Sequence, residues 1–307
     1  MTISRHITEY AGLPIAEFTS GSAPDVPAAG HAWRVRSESY KEGAFAELWA
    51  RFLDTVDTAE ITALVVGYWG PSERGNANYP VALLADAAAR FPKLRSLFFG
   101  EIVLEESEVS WIEHGDIGPL LAAFPALERF DVRGSEGLTL DPFKSDALKT
   151  LRFETGGLPA GIVRTVGASD LPALEHLDLW LGTGEYGGDA TVQDLAPVLG
   201  GERFPALRRL GLENAEIADE IAAALAGAPV VARLESLSLA LGALGDTGME
   251  ALLSGQPLTH LRRLDLHHHF VTDPMIERAR AALPGVDLDL SEREDPDEDW
   301  RFVAVSE

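Results

Sequence analysis

The phrase Phe91-Pro-Lys-Leu-Arg-Ser-Leu-Phe-Phe99 recurs as Phe124-Pro-Ala-Leu-Glu-Arg-Phe-Asp-Val132 and Phe204-Pro-Ala-Leu-Arg-Arg-Leu-Gly-Leu212, and no other feature limits the fold so sharply. Leu171-Pro-Ala-Leu-Glu-His-Leu-Asp-Leu179 is a close relative. All reduce to L-x-x-L-x-L, starting at Ile61, Leu94, Leu127, Leu148, Leu174, Leu207, Leu234, Leu261 and Leu283, with successive spacings of 33, 33, 21, 26, 33, 27, 27 and 22 residues. The last two apolar positions are two apart, so both side chains fall on one face of an extended strand. Between phrases, Val81 to Phe91, Glu220 to Ala226 and Met275 to Leu283 carry helical spacing. Asp273 before Pro274 reads as an N-cap, Thr247 to Glu250 as a capping box, and Gly227 and Gly255 follow helix ends. One strand and one helix cannot bury their apolar faces alone, so the units must stack.

From about residue 61 to residue 290 the chain resembles leucine-rich repeat proteins of the ribonuclease-inhibitor-like class, and more narrowly a family of bacterial cytoplasmic repeat proteins. The resemblance implies an α/β solenoid with a curved parallel sheet on the concave side, helices on the convex side, and recognition of another protein. One departure is plain. Eight residues after the first Leu the family carries an Asn that satisfies the turn, whereas this chain has Trp69, Ile102, Ser135, Gly156, Gly182, Ala215, Gly242 and His269. The turns must therefore close by other means.

Residues 1–60 lack the phrase and read as an N-terminal cap, a degenerate repeat with a strand at His31 to Arg36 and a helix at Phe45 to Leu53. The solenoid is expected over 61–290. An acidic tail or cap follows over 291–307, with Trp300 to Val305 folding back over the last repeat. The chain carries 25 Lys and Arg against 49 Asp and Glu, a net charge of −24, which opposes binding to nucleic acid or an anionic membrane. No apolar run approaches the ~20 residues of a membrane span, and the first ten residues lack a signal-peptide core. The absence of cysteine excludes disulfides and thiolate chemistry and fits a reducing, cytoplasmic setting.

If phrase positions four and six point inward, positions three, five and seven form the open sheet face. Position five then holds Val65, Phe98, Asp131, Arg152, Asp178, Gly211, Ser238, Asp265 and Asp287. Position seven holds Gly67, Gly100, Arg133, Glu154, Trp180, Glu213, Ala240, His267 and Asp289. Neighbouring strands lie ~4.8 Å apart, close enough for sideways pairs among Asp131, Arg152 and Asp178, and between Arg133 and Glu154. A solvated face explains these charges equally well. The 33-residue repeats place their extra residues in loops just after the strand, at 70–79, 105–114 and 182–188, near Tyr68, Trp69, Trp111 and Trp180. The expected partner contacts are Trp69, Phe98, Asp131, Arg133, Arg152, Glu154, Asp178, Trp180 and His267. They belong to a non-catalytic scaffold that binds another protein, basic in character, and holds no cofactor.

Three motifs compete with this reading. His267, His268 and His269 suggest a metal, but successive strand residues point to opposite sides, which favours structural histidines. Gly182-Thr-Gly-Glu-Tyr-Gly187 matches a dinucleotide fingerprint, yet every strand here is followed by a loop and a helix. Asp287, Asp289, Ser291, Asp295 and Glu298 fit a calcium loop, except that Glu292 stands where Gly is required. No catalytic motif is present. The alternative function is a metal- or small-molecule-binding accessory, enzymatic or not, of a bacterial modification pathway, using His176, Asp178, Asp265 and His267.

Overall fold

The leucine phrase becomes a strand in each repeat of the computed structural model, which describes residues 3–38, 40–41, 43–70, 79–295 and 300–307. Contacts divide the chain into an N-terminal unit, Ile3–Asp141 with Ala147–Thr150, and a C-terminal unit, Pro142–Asp146 with Leu151–Glu307.

The N-terminal unit contains strands β1 (Glu9–Tyr10), β2 (Leu13–Phe18), β3 (Ala32–Val35), β4 (Ala63–Val66), β5 (Ser96–Phe99) and β6 (Arg129–Arg133), which pair in chain order. The first pair is antiparallel and the others parallel. Register aligns Leu64, Leu97 and Phe130, the fourth residue of three phrases, and all are fully buried. Helices α1 (Ala44–Thr55), α2 (Tyr79–Asp86) and α3 (Gly118–Ala123) follow β3, β4 and β5. Helix α1 forms because Phe45, Leu48, Trp49 and Phe52 recur at three- and four-residue spacing and share one buried face. Each such side chain contributes roughly 1.5–3 kcal/mol on burial.

The first residues of this unit form an arm across the sheet. Tyr10 packs with Ala32, Ala63, Val65 and Phe98, and Ile7, Leu13 and Ile15 lie against that cluster. The arm is also held by polar bonds. The Tyr10 hydroxyl donates to Asp131 Oδ2 at 2.7 Å, Arg34 donates to the Ile7 carbonyl at 2.9 Å, and the Leu104 amide donates to the Ile3 carbonyl at 2.8 Å. His6 sits between Glu101, at 2.9 Å, and Glu106, at 3.4 Å. Burial lowers the His6 pKa, but the two carboxylates outweigh it and raise the value to about 9.

The C-terminal unit contains β7 (Thr150–Glu154, from Leu151 onward), β8 (His176–Gly182), β9 (Arg209–Ala215), β10 (Ser236–Ser238), β11 (Arg263–Asp265) and β12 (Asp287–Asp289), again in chain order. Its helices are α4 (Ala160–Ala168), α5 (Ala196–Leu199), α6 (Ala218–Leu225), α7 (Asp246–Ser254) and α8 (Asp273–Ala282). Leu177, Leu210, Leu237 and Leu264 stand side by side and are buried. No helix lies between β6 and β7.

Three local expectations are corrected. In the last repeat Leu264 aligns with Leu288, so Asp265 faces Asp289 and Arg263 faces Asp287, two residues away from the predicted register. The turn through Gly285, at φ +86°, uses the extra residues. Helix α8 is capped at Thr272, one residue before the expected Asp273. Helix α7 has no capping box. Asp219 Oδ1 from the preceding repeat accepts the Gly245 and Gly248 amides instead, at 2.8 and 3.1 Å, and Glu250 pairs with Arg278. Gly255 does stand at the C-terminal end of α7.

The C-terminal residues run along the strand exits of this unit. Asn214, Leu241 and His268, at 27-residue intervals, have φ values of +51°, +65° and +56°. Val305 N donates to Asn214 Oδ1 at 3.0 Å, Ala304 N to the Leu241 carbonyl at 2.8 Å, and His268 Nε2 meets the Phe302 carbonyl at 3.2 Å. His269 ties this turn through its ring: its Nδ1 accepts from the Val271 amide and its Nε2 donates to the Leu290 carbonyl.

Candidate partner-binding surface

The predicted open face is corrected in the N-terminal unit. Phe98, Asp131 and Arg133 occupy the expected register, but the arm lies over that side and all three are buried, Asp131 completely. Asp131 receives Tyr10 and, through Nε at 2.7 Å, Arg129. Arg133 stacks over the Phe98 ring at 5.1 Å and donates to the Ile102 carbonyl at 2.9 Å. Trp69 is also buried, stacked on Phe99 at 5.1 Å and tilted against His114 at 5.6 Å. His114, which the sequence reading did not single out, packs against both rings. Burial pushes its pKa down to about 4, although a hydrogen bond to the Arg133 carbonyl opposes the fall.

In the C-terminal unit the predicted residues come together but cover one another. Arg152 Nε donates to Asp178 Oδ2 at 2.8 Å, its NH2 lies 3.1 Å from Glu154 Oε1, and His176 Nε2 reaches Asp178 Oδ2 at 2.9 Å. Trp180 Nε1 donates to Glu213 Oε2 at 2.7 Å. Glu154, Asp178 and Trp180 are consequently buried, while Arg152 keeps about 21% of its side chain exposed. The floor of this cluster is Gly211, the register partner of Asp178. A Cβ there would lie 2.4 Å from Asp178 Oδ1 and 3.1 Å from Glu213 Oε1, so only glycine leaves room for both carboxylates. Glu213 was not among the predicted contacts. Burial, and then the Asp178 charge, raise its pKa to about 7. Asp178 moves the other way, because His176 and Arg152 outweigh its own burial.

The three histidines diverge. His267 Nδ1 meets Asp265 Oδ1 at 2.8 Å, and that bond raises its pKa; burial lowers those of His268 and His269. Among the described residues, Asp265, His267 and Asp289 form one group whose ligand atoms lie within 4.8 Å of one another. Arg263 already supplies a cation there, 2.9 Å from Asp265, Asp287 and Asp289. The site can hold a metal only by displacing or rearranging that guanidinium.

The fingerprint glycines serve the loop itself. Gly182 has φ +68°, and a Cβ there would lie 1.9 Å from the Gly156 carbonyl. The Gly184 amide donates to Glu216 Oε2 at 3.1 Å, placing a carboxylate where a phosphate would have to sit. The calcium-loop run is also tied up, since Arg263 holds Asp287 and Asp289; its last member, Glu298, and most of loop 70–79 lie outside the described residues.

What remains open lies at the strand exits of the N-terminal unit. Tyr68, Trp69, Ile102, Glu106, Trp111 and Glu113 line a cleft of about 240 Å³. Trp111 is 63% exposed, and nearby Tyr40, 65% exposed, tilts against Tyr68 at 5.4 Å and donates to the Glu105 carbonyl at 3.1 Å. Leu104 is exposed as well.

Parallel strands in chain order, helices between them and leucines in register define a leucine-rich-repeat-like α/β fold. The chain is similar to a protein from Bacteroides fragilis of known crystal structure, with 27% identity and a TM-score of 0.80, over 88% of this chain and 76% of that one. An internalin from Listeria monocytogenes is similar at 18% identity and a TM-score of 0.43, over 75% of this chain and 54% of that one. No protein-family model matches the sequence, and neither does any curated protein. No helix among the described residues is long and apolar enough to cross a membrane.

Proposed function

We propose that the protein is a non-catalytic protein-interaction scaffold that meets its partner through the loops after β4 and β5. The observation that carries this reading is Trp111, which stands 63% exposed at the mouth of a cleft. Large aromatics left in water beside a concave surface are the residue types from which interface hot spots are built. In the C-terminal unit, Arg152 and His267 retain enough exposure to act as further contacts. The other sheet charges are tied to one another, which favours a rigid platform over acid–base chemistry. With a net charge of −24, the chain associates fastest with a basic partner.

The test is affinity purification from the native host with wild type, Trp111→Ala and Arg152→Ala. A specific partner is expected with wild type and lost with Trp111→Ala. A partner retained unchanged by that variant refutes the loop assignment, and no specific partner at all refutes the scaffold. A second reading, metal binding, rests on Asp265, His267 and Asp289; stoichiometric zinc in untagged protein would favour it over the first.

A further inference from the structure

We propose that the cleft between Tyr68 and Trp111 receives one basic side chain, an arginine or a lysine, of the protein partner. The inference rests on the scaffold reading above and gives it a chemistry. Pockets for whole small molecules run to roughly 300–1,000 Å³, so a cleft of about 240 Å³ matches a single long side chain. Its walls include apolar surface of two kinds, the rings of Tyr68 and Trp111 and the aliphatic Ile102 and Ile112. A methylene stem can lie along such walls while its charged head meets a ring face.

Electrostatics select the cation. Glu106 and Glu113 line the cleft, and Glu105 stands exposed beside it. Glu106 is already bonded, to Arg36 at 3.1 Å and to His6 at 3.4 Å, so it is fixed in place and partly compensated from behind. The counter-charge for an incoming cation therefore falls to Glu113, an exposed acid for which no ion pair is seen among the described residues. The Tyr68 hydroxyl is pushed above its ordinary pKa chiefly by burial, and further by Tyr40 and the nearby Glu106 charge. An acidic side chain would be repelled here, and a neutral apolar one would desolvate the glutamates without pairing them. Arginine or lysine satisfies both surfaces.

The experiment uses the full chain and two end-blocked peptides, Gly-Arg-Gly and Gly-norleucine-Gly, with the Trp111 indole N–H followed by NMR. The arginine peptide is expected to shift that resonance and to bind about tenfold more tightly than the neutral one. Glu113→Gln should weaken it about threefold or more, and so should raising salt from about 50 mM to about 500 mM. Equal binding of the norleucine peptide, an unmoved indole signal, or indifference to Glu113→Gln would each overturn the inference. The two levels separate cleanly. If Trp111→Ala abolishes partner capture but the arginine peptide never binds, the scaffold stands and the cation assignment falls. If the peptide binds while capture ignores Trp111, the scaffold reading through this cleft fails.

Discussion

Replacing Glu213 by Gln should stabilise the protein at alkaline pH and change little in acid. In the folded chain Glu213 is half-buried, and desolvation of its carboxylate, followed by the charge of Asp178 beside Gly211, raises its pKa from 4.5 to about 7. A carboxyl with a raised folded pKa binds more protons folded than unfolded between those two values, so its contribution to stability falls as pH climbs through that window. A rise from 4.5 to about 7 corresponds to roughly 3 kcal/mol at full ionisation. That figure is a ceiling, since His176, Asp178 and Arg152 readjust together, and a difference of about 1–3 kcal/mol is expected. Gln keeps an oxygen to accept the Trp180 indole N–H, so packing is preserved. Urea unfolding of wild type and Glu213→Gln at several pH values is the assay: the two curves should lie close near pH 5 and separate by about pH 8, with the variant more stable. A difference that is constant across pH, or one that favours wild type in alkali, would refute the reasoning.

Other consequences are as specific. Tyr10→Phe removes a buried charge-assisted hydrogen bond to Asp131, so stability should drop by about 1.5–3 kcal/mol and amide exchange of residues 5–13 should accelerate; unchanged exchange would mean the arm is not held there. His6, with a raised folded pKa, stabilises the arm fully below its unfolded value of 6.5 and loses that effect as pH rises through about 9. Solvent screening limits the effect to about 1 kcal/mol, visible as faster exchange of the arm in alkali that His6→Gln abolishes. Gly182→Ala drives a methyl into the Gly156 carbonyl and should cost about 3 kcal/mol or more, read from the thermal midpoint. Zinc titration of wild type should show no tight site at Asp265, because Arg263 holds the carboxylates of Asp265 and Asp289.

The leucine spacing made the strands and their register legible, down to the alignment of Leu210 with Leu237 and Leu264, because inward positions tolerate only apolar side chains. The last repeat misled, since Val286 and Leu288 both satisfy the pattern and only the Gly285 turn decides between them. The covered sheet was the larger miss. Its signal was present in Ala63, Val65 and Phe98, apolar residues at outward positions that need a covering, and in the apolar Ile7, Tyr10, Leu13 and Ile15 that provide it. Asp131 offered no such hint, because an aspartate on an outward position looks the same whether water or a tyrosine hydroxyl receives it. Glu213 was hidden for a related reason: its environment is made by Asp178, 35 residues earlier in the chain, and by the missing side chain of Gly211.

The account turns on where a partner touches the chain, and hydroxyl-radical footprinting of the captured complex measures that directly. Binding at the strand exits predicts that Trp111, Tyr40 and Leu104 lose reactivity in the complex while Trp300, 78% exposed at the other end of the sequence, stays reactive. Full reactivity at Trp111, with protection confined to the sheet residues around Arg152, would contradict it.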